Sequence, residues 1–169
     1  MNLTSQQNPI LSEGGFLKGR RHRIHTPGKR ESLTFFGCLN LKTQKFYWKK
    51  SQKGNSDQFI YFLAQLKQNN PGKTIIIILD NASIHRSKKV RRYIEKHTEI
   101  KLLHLPTYSP EYNPVEIFWK WIKSKIYGFK AIGGIQEVIK RFRKFVWHYN
   151  HDRLVKPIQF QLDMYQEIL

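Results

Sequence analysis

Acidic residues are scarce in this chain of 169: twelve Asp and Glu stand against thirty Lys and Arg, for a formal net charge of +18. That imbalance excludes a polycationic partner and points to nucleic acid or another polyanion. A solvated basic surface, as in small ribosomal proteins, is the plainer reading, and it binds nucleic acid too. Cysteine is absent apart from Cys38, which removes any disulfide framework and any thiolate metal site. Lying within Leu33–Leu41, that thiol reads as a small core residue. Long hydrophobic runs are missing as well. The longest, Ile75–Leu79, falls far short of the ~20 residues of a membrane span. Met1–Gln7 is too polar for the core of a secretory signal. The expectation is a cytoplasmic, nucleoid-associated protein that makes no use of a membrane.

What is present argues for one folded domain. Hydrophobic residues make up 40% of the chain and aromatics 14%, enough for a real core at this length. Ser32–Leu41 is rich in strand formers, and Lys42–Lys45 is a plausible turn into a second strand, Phe46–Trp48. The period then changes. Asn55 or Ser56 stands as a cap before Phe59, Ile60, Phe62, Leu63 and Leu66, and Asn70-Pro71-Gly72 ends that helix. Thr74–Leu79 is almost unbroken β-branched sequence, the pattern of a strand buried on both faces. A helix over Ile84–His97, with Val90, Tyr93 and Ile94 inward, leads to a short strand, Ile100–Leu105. Strand, helix, strand in this space implies a parallel pair with a crossover.

Asn113-Pro114-Val115-Glu116 opens a further helix towards Tyr127, with Asn at the cap and Pro at the first position. The last helix is the clearest: Ile135, Val138, Ile139, Phe142, Phe145, Val146 and Tyr149 step by three and four. His148 and His151 sit at its end, where histidine suits the helix dipole better than it suggests a metal. The order predicts an α/β fold, a mixed sheet flanked by helices. Residues 1–17 read as an atypical lead segment, 18–150 as the domain proper, and 151–169 as a short tail helix.

Two carboxylates stand where chemistry gathers. Asp80 ends a buried strand, the position at which open α/β sheets place functional groups. It also suits a purely structural role as cap of the helix that follows. Glu116, in the first turn of its helix, can close a capping box with Asn113. The text around it is more specific: Leu105-Pro106, Tyr108-Ser109-Pro110, Asn113-Pro114, Glu116 and Trp119 in close succession. Trp119 and its neighbour Trp121 read mainly as core residues.

Together with Leu79-Asp80-Asn81-Ala82-Ser83-Ile84-His85, that pattern resembles the DDE transposases. The likeness is to the mariner-like branch and its bacterial insertion-sequence relatives, within the ribonuclease H-like (integrase) superfamily. The 35 residues between Asp80 and Glu116 fit the interval between that family's second Asp and its Glu. The resemblance runs from about Lys18 to about Asn150. It implies a ribonuclease H-like mixed sheet and DNA cleavage and strand transfer in transposition. The chemistry would be Mg²⁺-dependent, with Mn²⁺ as substitute, and two ions roughly 3.5–4 Å apart. Asp80 and Glu116 would be the second and third catalytic and metal-binding acids, with Asn81 and His85 assisting. DNA of the element ends and target, and further copies of the chain, are the implied partners.

The family's first Asp has no evident counterpart. Upstream of Asp80 the chain offers only Glu13, Glu31 and Asp57, of which Glu13 is the best substitute. The first central strand is therefore expected to be missing or replaced, leaving neighbouring edges unpaired. The expectation is the C-terminal portion of a transposase, truncated or encoded in a split frame. A catalytically inactive DNA-binding remnant is the competing reading. For DNA contact the chain offers Lys18, Arg20, Arg21 and Arg23, then Arg86, Lys88 and Lys89 after Asp80, then Lys120 and Lys123. Cations spread in this way track a backbone rather than read bases.

Overall fold

The computed structural model describes residues 2–4, 32–106, 113–127 and 134–151. Among them the chain forms β1 (Asn2–Thr4), β2 (Ser32–Leu39), β3 (Phe46–Ser51), α1 (Ser56–Gln68), β4 (Ile75–Leu79), α2 (Lys88–Lys96), β5 (Ile100–His104), α3 (Pro114–Tyr127) and α4 (Ile135–His151). The architecture is mixed α/β, with the expected hairpin, crossover pair and two last helices in place.

The hairpin is β2 and β3, antiparallel, with Leu39 opposite Phe46. Its connection is built by Asn40, whose Oδ1 accepts the N–H groups of Lys42 and Thr43 while Gln44 takes φ 58°. Residues on β2 alternate between two cores, as the period of two requires. Leu33 and Phe35 face α3 and α4, where they meet Phe46, Phe118, Trp119, Ile122 and Phe142. Phe36 faces the other way, towards Phe59, Phe62, Leu63 and Leu66 of α1 and Val90 of α2. Each such buried side chain contributes about 1.5–3 kcal/mol. The β2–β3 sheet is thus covered on both faces.

The structure refines four expectations. First, the strand expected to be missing or replaced is represented by a short one beside β2: Asn2–Thr4 pairs antiparallel with Ser32–Thr34. Three residues carry no readable period, so only the open edge of β2 reveals it. Second, the strands fall into two sheets, β1-β2-β3 and the parallel pair β4-β5. Third, β4 is not buried on both faces. Only Leu79 is buried, and Ile76 is 39% exposed.

The reason is a cavity of about 570 Å³ between β2 and β4, reached also by Asn113 and Val115. Ile75, Ile76, Ile77 and Ile78 all border it. Successive strand side chains point to opposite faces, so four consecutive lining residues place the cavity along the edge of β4. Fourth, α2 starts at Lys88, not Ile84. Ser87 is its cap, accepting the N–H of Val90 at 3.3 Å.

Candidate active site

The site is organised at the carboxyl ends of β4 and β5. The parallel register sets Leu79 opposite His104, and the chain leaving β4 then turns through Asp80–Arg86. Asp80 Oδ1 accepts the N–H of Ala82 at 3.0 Å. His85 and Arg86 N–H groups close back on Ala82 and Ser83 carbonyls at 3.0 and 3.2 Å. Asp80 therefore stabilises its own turn and does not cap α2, which begins eight residues later. Its side chain stays 59% exposed. Such a carboxylate, held by its backbone yet open, keeps oxygen lone pairs available to a hard cation.

Asn81 acts on the same joint. Its Nδ2 donates to the Leu105 carbonyl at 2.6 Å, and Leu105 N–H donates to the Leu79 carbonyl at 2.8 Å. These bonds lock the two strand ends together just where Asp80 emerges.

His85 lies in the turn rather than one turn along a helix. Its ring stacks on Phe59, centroids 4.3 Å apart at 16°, and its Nδ1 is buried with no hydrogen-bond partner. That atom is 4.0 Å from Asp80 Oδ1. Burial pulls the imidazole below the usual histidine range, the Asp80 carboxylate pulls the other way, and His104 adds to the lowering. The turn is further fixed by α1. Ser56 Oγ donates to the Ile84 carbonyl at 3.0 Å, and Lys89 pairs with Asp57 at 2.8 Å. Lys89, expected to contact DNA, is thus engaged within the chain.

His104 is the residue the sequence reading passed over. Its Nδ1 donates to the Asp80 carbonyl at 3.3 Å. The signal was available in the parallel register, which brings the last residue of Ile100–His104 level with the end of β4.

Glu116 stands in the first turn of α3 and is half-buried. Asn113 caps the helix, its Oδ1 taking Val115 N–H at 3.3 Å and its carbonyl taking Glu116 N–H at 2.9 Å. No hydrogen bond returns from Asn113 N–H to the Glu116 carboxylate, so the capping-box role is unused. No hydrogen bond joins Glu116 to Asp80, and among the described residues no group of three His, Cys, Asp or Glu is placed to hold a metal. The carboxylates suit a hard divalent ion in type and are too few in number. Arg86, Lys88 and Lys120 are exposed and Lys123 is half-buried. Glu13, Lys18, Arg20, Arg21, Arg23, Glu31 and the tail from residue 152 lie outside the described residues. Trp119 is buried as expected, and Trp121 packs on Phe118, Phe145 and Tyr149. No described helix is long and apolar enough to cross a membrane.

Comparison with known proteins adds three findings. The DDE superfamily endonuclease family matches residues 3–139. The insertion element IS630 uncharacterized 39 kDa protein of Shigella sonnei is 29% identical over 140 residues, covering 82% of this chain and 41% of that protein. The chain thus spans about two-fifths of the length of this curated relative. Among solved structures, a chain of the simian T-cell lymphotropic virus intasome in complex with PP2A regulatory subunit B56 gamma superposes with a TM-score of 0.53. The pair is 13% identical, over 75% of this chain and 51% of that one. The likeness establishes a shared ribonuclease H-like fold. With four-fifths of its length matched and Asp80 and Glu116 inside the matched span, the chain belongs to the DDE superfamily endonuclease family.

Proposed function

We propose that this chain is the catalytic domain of an insertion-element transposase, a DNA endonuclease and strand transferase in which Asp80 and Glu116 are two metal-binding carboxylates. The observation that carries this reading is Asp80 itself. It is exposed at a strand end, released from any helix-capping duty and braced by Asn81, His104 and α1, in a chain of this family. Divalent cations, Mg²⁺ or Mn²⁺ and two in the complete site, supply charge neutralisation at the phosphoryl oxygens. Asp80 and Glu116 offer hard oxygen ligands for them. His85, stacked on Phe59, holds the Asp80 turn in place. Arg86, Lys88, Lys120 and Lys123 carry the DNA backbone towards the site.

The third acid comes from outside the described residues, where Glu13 is the candidate that the sequence offers. The cavity beside β4, whose second edge is unpaired among the described residues, supports this reading, because a strand lying there would run beside Asp80. One observation favours a second reading, that of a DNA-binding remnant without chemistry: the described residues hold no third ligand.

Mn²⁺ titration separates the two. The catalytic reading expects saturable binding that Asp80→Ala or Glu116→Ala lowers at least tenfold. If neither substitution changes Mn²⁺ affinity, the remnant reading stands and the catalytic one falls.

A further inference from the structure

The outward face of α4 is chemically unlike the rest of the surface. Its inner face is spent on Val138, Ile139, Phe142, Val146 and Tyr149. From Arg143 to the end of the helix, the exposed positions are Arg143, Lys144, Trp147, His148 and His151. All are cationic or imidazole except the tryptophan. Trp147 is 58% exposed, although a lone indole of this size gains more by packing inward.

The ring is nevertheless held firmly. His151 stacks on it with centroids 4.9 Å apart at 19°, and His148 meets it edge-on at 5.0 Å. His151 Nδ1 donates to the Trp147 carbonyl at 2.8 Å, which fixes the imidazole plane and leaves Nε2 free. Beneath the pair lies a recess of about 530 Å³, lined by Trp48, Arg143, Lys144, Asn150 and His151 besides Trp147 itself. Its floor is rigid. Trp48 is packed edge-on against Phe142 at 4.9 Å, and both ends of the Asn150 amide bond to Phe46 backbone, at 2.8 and 2.9 Å. The volume falls within the ~300–1,000 Å³ of small-ligand sites. Another exposed aromatic, Tyr61, is different, since Lys49 Nζ already sits 5.4 Å from its ring centroid.

We infer that this recess is a stacking site for one unpaired nucleotide of a DNA strand. The base would lie on Trp147, and its flanking phosphates would meet Arg143 and Lys144. Charge complementarity selects the ligand, because a guanidinium and an ammonium beside an indole that stays 58% exposed with His151 stacked on one face match a base with its phosphate. An apolar protein partner would leave those cations desolvated and unpaired. The inference rests on the DNA-binding part of the proposed function and not on metal binding at Asp80.

Fluorescence anisotropy on the full chain tests it, with a single-stranded oligothymidine and a duplex of equal length as probes. Trp147→Ala is expected to weaken single-strand binding roughly tenfold, with duplex binding within about twofold of the unaltered chain. Trp147→Phe, which keeps a ring, is expected to retain most of the single-strand affinity. Equal losses on both probes, or no loss on the single strand, overturn the inference. So does a change in oligomeric state on Trp147→Ala with single-strand binding unaltered, which assigns the face to a second copy. If the unaltered chain binds the duplex and the inference still fails, DNA binding survives without it; if it binds neither probe, DNA binding itself falls.

Discussion

Gly37 shows how little freedom a single position has in this core. A Cβ there would press on the Phe46 ring and approach Trp119 Cζ2 at 2.7 Å. Both rings are themselves wedged against Phe118 and Phe142, so neither can yield cheaply. Gly37→Ala is expected to destabilise the protein by about 1–3 kcal/mol, read as a lower midpoint in urea with an unchanged slope.

Next to it, Cys38 is half-buried at the border of the cavity, and burial pushes its thiol up to about 12. An unfolded thiol ionises near 8.5, so above that pH the unfolded chain gives up a proton that the folded chain keeps. Stability should therefore fall as pH rises from about 8.5 towards 12. Alkylation by iodoacetamide at pH 8 should be slow in the native protein and fast in urea. Fast native alkylation would mean that the thiol is not shielded.

At the scale of elements, α4 packs on β3 through Trp48 and Phe142 and is hydrogen-bonded to it by one side chain. Asn150 both donates to and accepts from the Phe46 backbone, standing in for a neighbouring strand. Asn150→Ala leaves a partly buried N–H and C=O without those partners, at about 1–3 kcal/mol for each group. Thermal melts of Asn150→Ala and Asn150→Asp check this. The Asp variant keeps an acceptor for Phe46 N–H and should melt between the unaltered protein and Asn150→Ala.

Helices α1 and α4 were legible in the sequence because their apolar residues keep step over several turns, and α3 because Asn113-Pro114 marks its start. Asp80 was legible as the end of an isoleucine run. What was not legible depended on pairing: the three residues of β1, the placing of His104 level with Leu79, and the delayed start of α2. Asn81 to Arg86 carries helix-compatible residues, but side-chain and backbone bonds spend it on a turn instead. Trp147 escaped for a different reason. Its spacing from Phe142 and Phe145 fits no inward stripe, and an outward tryptophan is recognisable only once the helix is docked.

For the whole molecule, charge is the dominant fact. A net +18 spread over several elements predicts duplex binding that is tolerant of sequence and strongly dependent on salt. If about six phosphates are neutralised, affinity should fall by roughly 10³-fold between 50 and 200 mM salt. A flat salt response in a filter-binding or anisotropy series would contradict it. Several of the described acids have structural tasks: Asp57 joins α1 to Lys89, Glu99 receives Lys67, and Glu137 receives Arg141 along α4. Asp80 and Glu116 have no such ion pair with a lysine or arginine among the described residues, which leaves their carboxylates available.

The edge of β4 that is unpaired among the described residues also bears on how the protein fares in a cell. Ile75–Leu79 is five apolar residues with no charge and no proline, one side of its backbone unpaired within its sheet. Segments of this composition stack readily into cross-β fibrils. Lys73 and Asp80 bracket the run as gatekeepers of opposite sign. A charge at each end of the run opposes zipping between neighbouring copies, so Asp80 also guards against aggregation.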